Sequence, residues 1–243
     1  MKFLRRRTCD VKAPSYEWRA VRLEAHTLLL TASKVQECDA TDDAIKYCCS
    51  VHKRKNRMNI EIISGSPRKE STTRRVALFL HKYMSEKTEH NINIIDVRDW
   101  EFPLLQDVFT SAERTPASLQ PLAKRMFDAN AFIMVSPEYN GSYTGALKNL
   151  FDHFPKQAHK TFGIVTASHG AMGGMRASQQ MQLLVNALFG IGSPYMLIIP
   201  MIEKKFDETG KLIDPGFQKN IDVFVGEFLW LAESLAPEMQ SII

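Results

Sequence analysis

From residue 58 onward, short apolar segments alternate with amphipathic segments, a pattern that constrains the fold more than any other feature of the chain. The predicted strands are Asn59–Ser64, Asn91–Val97, Ala131–Ser136, Lys160–Ala167 and Tyr195–Ile199. Ala131–Ser136 (AFIMVS) is apolar almost throughout, which is typical of a strand buried on both faces. Strands that are each followed by a helix pair in parallel through right-handed crossovers. We therefore expect a three-layer α/β domain with a five-stranded parallel sheet.

Five amphipathic segments supply the predicted helices. The first shows an apolar face at i, i+3, i+4, i+7 and i+8, formed by Val76, Phe79, Leu80, Tyr83 and Met84. The others are predicted over 117–128 and around apolar stripes within 147–154, 181–189 and 221–235. Periodicity alone fits a Rossmann or a flavodoxin-like strand order. In both orders ligands bind at the carboxyl ends of the strands, so the loops after strands one, three and four are the candidate site.

Charge, cysteine and glycine all change along the chain near Met58. The chain has 243 residues and a net charge of +4, but residues 1–57 hold 13 Lys/Arg and 7 Asp/Glu, so residues 58–243 carry −2. The four cysteines all lie before residue 50, and the first of the 12 glycines is Gly65. We interpret 1–57 as a basic leader, poorly ordered or partly helical, which could be translated upstream sequence with Met58 as the natural start. Residues 58–243 are the expected folded domain.

Several classes of function are disfavoured by composition. The cysteines form no Cys-x-x-Cys pair, so we expect no metal site in the leader. The leader lacks the interleaved aromatic residues that base stacking requires, so no nucleic-acid partner is expected. No run of about 18 apolar residues is present, so no membrane span is expected.

The loop after the first predicted strand, Gly65–Thr73, combines hydroxyl groups with one arginine and leads into a helix. Free backbone N–H groups and the dipole at a helix N-terminus favour an anion. Serine and threonine hydroxyls and an arginine fork are suitable phosphate donors. The alternative is an ordinary helix start with Ser71 as its N-cap. The loop is neither a Walker A motif nor a Gly-x-Gly-x-x-Gly fingerprint.

The loops after the third and fourth strands suit a planar ligand. In Ser136–Asp152, Pro137 and Gly141 predict a turn at the end of the strand. Flat aromatic and amide groups beside a glycine-containing backbone suit a heterocycle held at its edge. The segment Ser168–Arg176 contains three glycines, which let a backbone approach a ligand closely.

These three loops resemble those of the NADPH-dependent FMN reductase family, which has a flavodoxin-like fold. The family's Gly-Ser-x-Arg-x-x-Ser motif corresponds to Gly65–Ser71, and its Ser-Pro-Glu-Tyr-Asn motif begins the segment Ser136–Asp152. The third loop, with Gly173-Gly174 and Arg176, is also similar, and the resemblance covers roughly 58–200. A tryptophan often follows the family's aspartate, whereas this chain has His153. The resemblance implies the strand order 2-1-3-4-5.

The resemblance also implies a set of FMN-binding residues. The phosphate is assigned to Ser66, Arg68, Ser71 and Thr73, with Thr72 beside them. The isoalloxazine and ribityl chain are assigned to Pro137, Glu138, Tyr139, Asn140 and Gly141, mainly through backbone groups. The pyrimidine side of the ring is assigned to Ser168, His169 and Gly170, with Gly173 nearby. No catalytic side chain and no metal ligand are expected, because the flavin carries the redox chemistry.

The implied function is an FMN-dependent oxidoreductase. NADPH or NADH would reduce the flavin, and a flavin, quinone, azo compound or similar acceptor would then take its place, in ping-pong order. Arg176 could bind the 2′-phosphate of the nicotinamide cofactor or form an ion pair on its own helix. A cytoplasmic homodimer or homotetramer is expected. The alternative is a flavin-binding electron carrier or redox-responsive regulator without significant NAD(P)H turnover.

Replacing Arg68 tests the phosphate assignment. The substitution Arg68→Ala should weaken FMN binding, because it removes a planar donor that can form several charge-assisted hydrogen bonds. The measurement is a titration of the protein with FMN, followed by the quenching of flavin fluorescence. Full retention of affinity would contradict the assignment.

Overall fold

The computed structural model describes residues 57–239, and these form one parallel sheet covered by helices on both faces. The strands are β1 Asn59–Ser64, β2 Asn91–Asp96, β3 Ala131–Ser136, β4 Thr161–Ala167, β5 Ile191–Gly192 and β6 Leu197–Ile199. The helices are α1 Thr73–Lys87, α2 Gln120–Asp128, α3 Gly145–Asp152, α4 Met175–Ala187 and α5 Gln218–Met239. The predicted leader lies outside the described residues, apart from Arg57.

The strand order β2-β1-β3-β4-β5 confirms the order 2-1-3-4-5 and selects the flavodoxin-like alternative. All the paired strands run parallel. Ser64 lies beside Val135, and Ser136 lies beside Thr166. The ends of β1, β3 and β4 therefore meet at one edge of the sheet, and the loops that follow them start side by side.

The fifth strand differs from the prediction, which was Tyr195–Ile199. The observed strand begins at Leu197, and a separate two-residue strand precedes it, so the fifth position is divided in two. Ile191–Gly192 pairs with the start of β4, and Leu197–Ile199 pairs with its end. The Ser193 N–H still donates to the Phe162 carbonyl at 2.7 Å. Because the Ile191 and Ser193 N–H groups both face β4, the Pro194 nitrogen, which carries no hydrogen, faces the free edge of the sheet. Pairing with β4 is interrupted here and resumes at Leu197.

Two apolar cores lie on opposite faces of the sheet. One is formed with α1 and α5 and includes Ile62, Leu80 and Phe228. The other is formed with α2, α3 and α4 and includes Phe132 and Phe151. All six residues of β3 are buried, as the apolar run predicts. The sheet is therefore the middle of three layers.

One ion pair is buried between β1 and α2. Glu61, only 2% exposed, accepts hydrogen bonds from Arg125 Nε at 3.2 Å and Arg125 Nη2 at 2.6 Å. Nη2 also donates to the Ile94 carbonyl at 2.7 Å, so the arginine contacts both β1 and β2. Burial raises the pKa of Glu61 above its ordinary value, although the Arg125 guanidinium acts in the opposite direction. Folding therefore depends on Arg125 to compensate a desolvated carboxylate.

Replacement of Arg125 by methionine should lower the free energy of unfolding by about 3 kcal/mol at neutral pH, since it leaves a buried charge unpaired. Because the folded-state pKa of Glu61 is raised above its ordinary value of 4.5, the stability linked to protonation of Glu61 is fully present below pH 4.5. This stability is lost as the pH rises through the folded-state pKa. The deficit should therefore shrink as pH falls towards 4.5.

The measurement is urea denaturation of both proteins across this pH range. Lys124→Met is the matched control, because Lys124 forms an exposed pair with Asp128 on the same helix and should not matter measurably. A deficit that is the same at every pH would contradict the role assigned to the Glu61 charge.

Candidate functional site

The three predicted loops meet around a cavity of about 150 Å³ at the carboxyl edge of the sheet. Its lining residues are Ser66, Arg68, Glu70, Ser71, Thr72, Thr73, Pro137, Glu138, Tyr139, Ala167, Ser168 and His169. Of the residues assigned to cofactor binding, Asn140, Gly141, Gly170 and Gly173 do not line it. The structure thus brings together the other ten, and adds Glu70 and Ala167.

The loop after β1 lies directly against the loop after β3. The Gly65 N–H donates to the Val135 carbonyl at 2.8 Å, and the buried Thr144 hydroxyl donates to the Gly65 carbonyl. A Cβ on Gly65 would lie 3.0 Å from the Val135 oxygen and 3.2 Å from Leu147 Cβ. Glycine is required here by this close approach, which places the buried Ser66 at the cavity.

The N-terminus of α1 is suited to an anion. The Ser71 and Thr73 hydroxyl oxygens lie 3.0 Å apart, and the Arg74 N–H donates to Ser71 Oγ at 3.3 Å. The N-cap residue is Thr72 rather than the predicted alternative Ser71, but the Ser71 hydroxyl, one residue earlier, accepts this N–H and also lines the cavity. No acidic residue lies in the first turn, which instead carries Arg74 and Arg75. Cations at a helix N-terminus oppose the helix dipole, so a bound anion would stabilise this arrangement.

Asp96 at the end of β2 braces the loop after β1, a role that no sequence motif indicates. It accepts hydrogen bonds from Arg98 Nε at 2.8 Å, Arg98 Nη2 at 2.6 Å and Arg74 Nε at 3.2 Å. Arg98 Nη1 donates in turn to the Lys69 carbonyl at 3.0 Å. Burial favours a raised pKa for Asp96, but the hydrogen bonds from Arg98, with a further one from Arg74, outweigh it and lower the pKa. The carboxylate thus stays ionised and holds the loop to α1.

The loop after β3 forms a tight turn at Asn140 and Gly141. Tyr139 and Ser142 exchange backbone hydrogen bonds of 2.8 and 3.1 Å around it. Asn140 has φ 52° and Gly141 has φ 85°, the left-handed values that a type I′ turn requires and that Asn-Gly adopts readily. These two residues shape the turn over 139–142, called the Tyr139 turn below, and position Tyr139. The Arg68 guanidinium lies 4.8 Å above the centre of the Tyr139 ring, so the first two loops also contact each other through these side chains.

The loop after β4 depends on two glycines in left-handed conformation. Gly173 has φ 62°, and a Cβ there would lie 2.7 Å from Ile198 Cγ2 and 2.9 Å from the Pro200 nitrogen. Gly174 has φ 84°, and its Cβ would lie 2.9 Å from Thr166 Cβ. Gly173 therefore sets the path of the loop. His169 lies at the cavity with Nδ1 3.3 Å from Glu203 Oε2, and both side chains are largely exposed.

Glu138 links the loop after β3 to the N-terminus of α4. Its carboxylate accepts hydrogen bonds from the Arg176 N–H at 3.2 Å and Arg176 Nε at 2.7 Å, and lies 2.5 Å from Arg176 Nη2. Arg176 therefore pairs with a residue outside its own helix, contrary to one of its two predicted roles. Its binding of a 2′-phosphate stays a prediction.

His153 is buried where the family often has tryptophan. Its Nδ1 lies 2.8 Å from the Asn149 carbonyl, and its ring lies 4.9 Å from that of Phe102 and 5.2 Å from that of Phe109. His153 thus anchors the long segment between β2 and α2 onto α3.

The described residues fit FMN in the chemistry of their donors. Hydroxyl groups and the N-terminus of α1 lie together in the loop after β1, without an acid in the first turn of the helix. The Tyr139 hydroxyl is buried without a hydrogen-bond partner among the described residues, so a polar ligand atom could satisfy it. Residues 57–239 contain no group of three or more potential metal-ligating side chains, and none of their helices is long and apolar enough to span a membrane.

Comparison with known proteins agrees with this geometry. The family model described as NADPH-dependent FMN reductase matches residues 58–200. The quinone reductase of Escherichia coli (strain K12) is 32% identical over 169 residues, which is 66% of this chain and 87% of that protein. The FMN-dependent NADPH-azoreductase of Staphylococcus saprophyticus is 30% identical over 176 residues, covering 69% and 92%.

A solved structure supports the fold. FerB, a flavoenzyme NAD(P)H:(acceptor) oxidoreductase from Paracoccus denitrificans, superimposes with a TM-score of 0.61 at 21% identity. The match covers 73% of this chain and 98% of that one. At this identity the likeness establishes the flavodoxin-like fold alone.

Removing the Asp96 charge should weaken FMN binding, although Asp96 does not line the cavity. We expect Asp96→Asn to raise the dissociation constant for FMN by about tenfold, because Arg98 loses the partner that directs it to the Lys69 carbonyl. The measurement is an FMN titration at constant ionic strength. Asp128→Asn, which removes a carboxylate from an exposed pair, should leave FMN affinity unchanged. Equal effects of the two substitutions would exclude the bracing role.

Proposed function

The chain belongs to the NADPH-dependent FMN reductase family, and we propose that the cavity between its three loops binds FMN for NAD(P)H-dependent reduction of small acceptors. The observation that carries this proposal is the pairing of an anion-adapted helix N-terminus with the Tyr139 turn across one cavity. Phosphate donors on one side and an aromatic turn on the other match the two ends of FMN.

Each part of the site has a separate role in this proposal. The phosphate would be held by Ser66, the Ser71–Thr73 hydroxyl pair and the positive end of the α1 dipole. The bound FMN supplies the hydride-accepting group, while the protein supplies binding, orientation and electrostatics. Pro137 and Tyr139 would orient the ring edge, and Ser168 would border it from the loop after β4.

Arg68 has two tasks in this arrangement. Its guanidinium lies over the Tyr139 ring, and it can donate to a phosphate from the same position in the cavity wall. A cation that stacks on an aromatic ring keeps its in-plane N–H donors free. Arg68 would therefore couple phosphate binding to the position of the Tyr139 turn.

The acceptors we propose are quinones and azo compounds. The support is the sequence similarity to a quinone reductase and to an FMN-dependent NADPH-azoreductase, each matched over most of its length. These relatives are named for catalytic reduction, which favours the enzyme over the alternative of an electron carrier or regulator. A single flavin that serves both the nicotinamide and the acceptor in turn implies ping-pong kinetics.

We also propose a functional domain over 58–243 and a cytoplasmic homodimer or homotetramer. The family match that begins at Met58 supports the domain boundary. Leu104, Leu105 and Val108 are exposed apolar side chains in the segment that packs on His153. Exposed apolar side chains in one short segment support contact with a second subunit.

The test of the function uses the full chain under nitrogen. The purified protein, incubated with FMN and desalted, should be yellow, and addition of NADPH or NADH should bleach the flavin. Addition of a quinone or azo dye should then restore the oxidised spectrum. Protein that retains no flavin, or flavin that never bleaches, would contradict the enzymatic function. A spectrum that bleaches but is not restored by any of these acceptors would contradict only the acceptor class.

A further inference from the structure

We propose that the ion pair between Glu138 and Arg176 sets the reduction potential of the bound flavin. This inference rests on the proposed function, since it concerns FMN in the same cavity. It assigns to two side chains an electrostatic role that neither the phosphate site nor the Tyr139 turn performs.

The geometry places a carboxylate in the cavity wall and its counter-charge outside. Glu138 lines the cavity, and its side chain is only 13% exposed. Arg176 does not line the cavity, and its side chain is 76% exposed. The cavity therefore lies against the anionic partner of the pair, while the cationic partner extends from α4 towards solvent.

The position of this pair is fixed by the backbone on both sides. Glu138 follows β3 directly, and its carboxylate also accepts the N–H of Arg176 in the first turn of α4. Glu138 Cβ lies 3.7 Å from the Cβ that Gly174 would carry, so the two loops approach closely here. The carboxylate cannot leave the cavity wall without losing three contacts to Arg176.

The sign of the effect follows from the charge added by reduction. Electrons entering the flavin make it more negative, and a nearby uncompensated carboxylate opposes this change. The positive charge of Arg176 offsets that of the carboxylate, and the N-terminus of α4 adds partial positive charge. The paired state therefore favours the reduced flavin more than an unpaired Glu138 would.

The other charged groups at the cavity are less able to act in this way. Arg68 and Glu70 are exposed in the loop after β1. The side chains of His169 and Glu203 are 62% and 60% exposed. Solvent screens such groups more strongly than it screens a side chain that is 13% exposed. Glu138 is thus the acidic side chain of the cavity wall with the greatest influence on its interior.

The experiment is a spectroelectrochemical titration of the flavin-loaded protein. Arg176→Gln should shift the reduction equilibrium about tenfold towards the oxidised form, which is about 30 mV for a two-electron couple. Glu138→Gln should shift it in the opposite direction, and the double variant should return towards the wild-type potential. Lys124→Gln, which removes a cation from an exposed pair on α2, is the control and should have no effect.

A second readout needs no turnover and separates charge from structure. Sulfite adds to oxidised flavins and makes them negative, so Arg176→Gln should raise its dissociation constant and Glu138→Gln should lower it. Arg176→Lys keeps the charge but loses the bidentate geometry, so its potential should stay close to that of the wild type. If Arg176→Gln retains no flavin, the potentials of Glu138→Gln and Arg176→Lys decide the matter.

The outcomes distinguish this inference from the proposed function. A wild-type protein that retains no FMN contradicts the proposed function and this inference with it. A flavin-loaded protein whose potential is unchanged by Glu138→Gln overturns the role of the pair and leaves the function intact. An Arg176→Lys variant whose potential falls as far as that of Arg176→Gln would also overturn it, because geometry rather than charge would then be responsible.

Discussion

The contact of Gly65 with the loop after β3 is the constraint on which the rest of the site depends. One hydroxyl group, that of Thr144, donates to the Gly65 carbonyl and accepts the Leu147 N–H, so it joins the loop after β1 to the N-terminus of α3. The Thr144 N–H is itself held by Ser136 Oγ at 3.2 Å. A displacement of any of these groups would move the hydroxyl groups of the loop after β1 relative to the Tyr139 turn. The cavity is therefore built on a close approach at Gly65 that leaves no room for a side chain.

Carboxylates organise the charged side chains around this frame. Asp96 directs Arg98 to the loop after β1 and also binds Arg74 of α1, and Glu138 directs Arg176 across the loop after β4. In both cases an acid at the end of a strand selects the position of an arginine on another element. Buried or half-buried partners make these pairs less sensitive to salt than surface pairs are. The site thus combines a neutral backbone frame with oriented charges.

Local patterns predicted the α/β layers and most of the residues that line the candidate cavity, whereas the strand order came from the family resemblance. The buried run of β3, the Asn-Gly turn and the glycines at 173 and 174 each carry a signal within a few residues. Asp96 and the Glu138–Arg176 pair were not predicted as partners, since 22 residues separate Arg74 from Asp96 and 38 separate Glu138 from Arg176. Only the strand order brings them together, and periodicity left that order open. The division of the fifth strand at Pro194 was missed because a proline at an edge does not disturb the apolar pattern that follows it.

That division has a consequence for how the molecule can associate. An edge strand exposes a row of free backbone donors and acceptors, which another chain can pair with to extend the sheet into an aggregate. Here the edge beyond β4 consists of two residues, an interruption at Pro194 and three further residues. It offers no continuous row long enough to template a seventh strand. The interruption around Pro194, whose nitrogen has no hydrogen to offer at this free edge, therefore protects this side of the sheet from edge-to-edge aggregation.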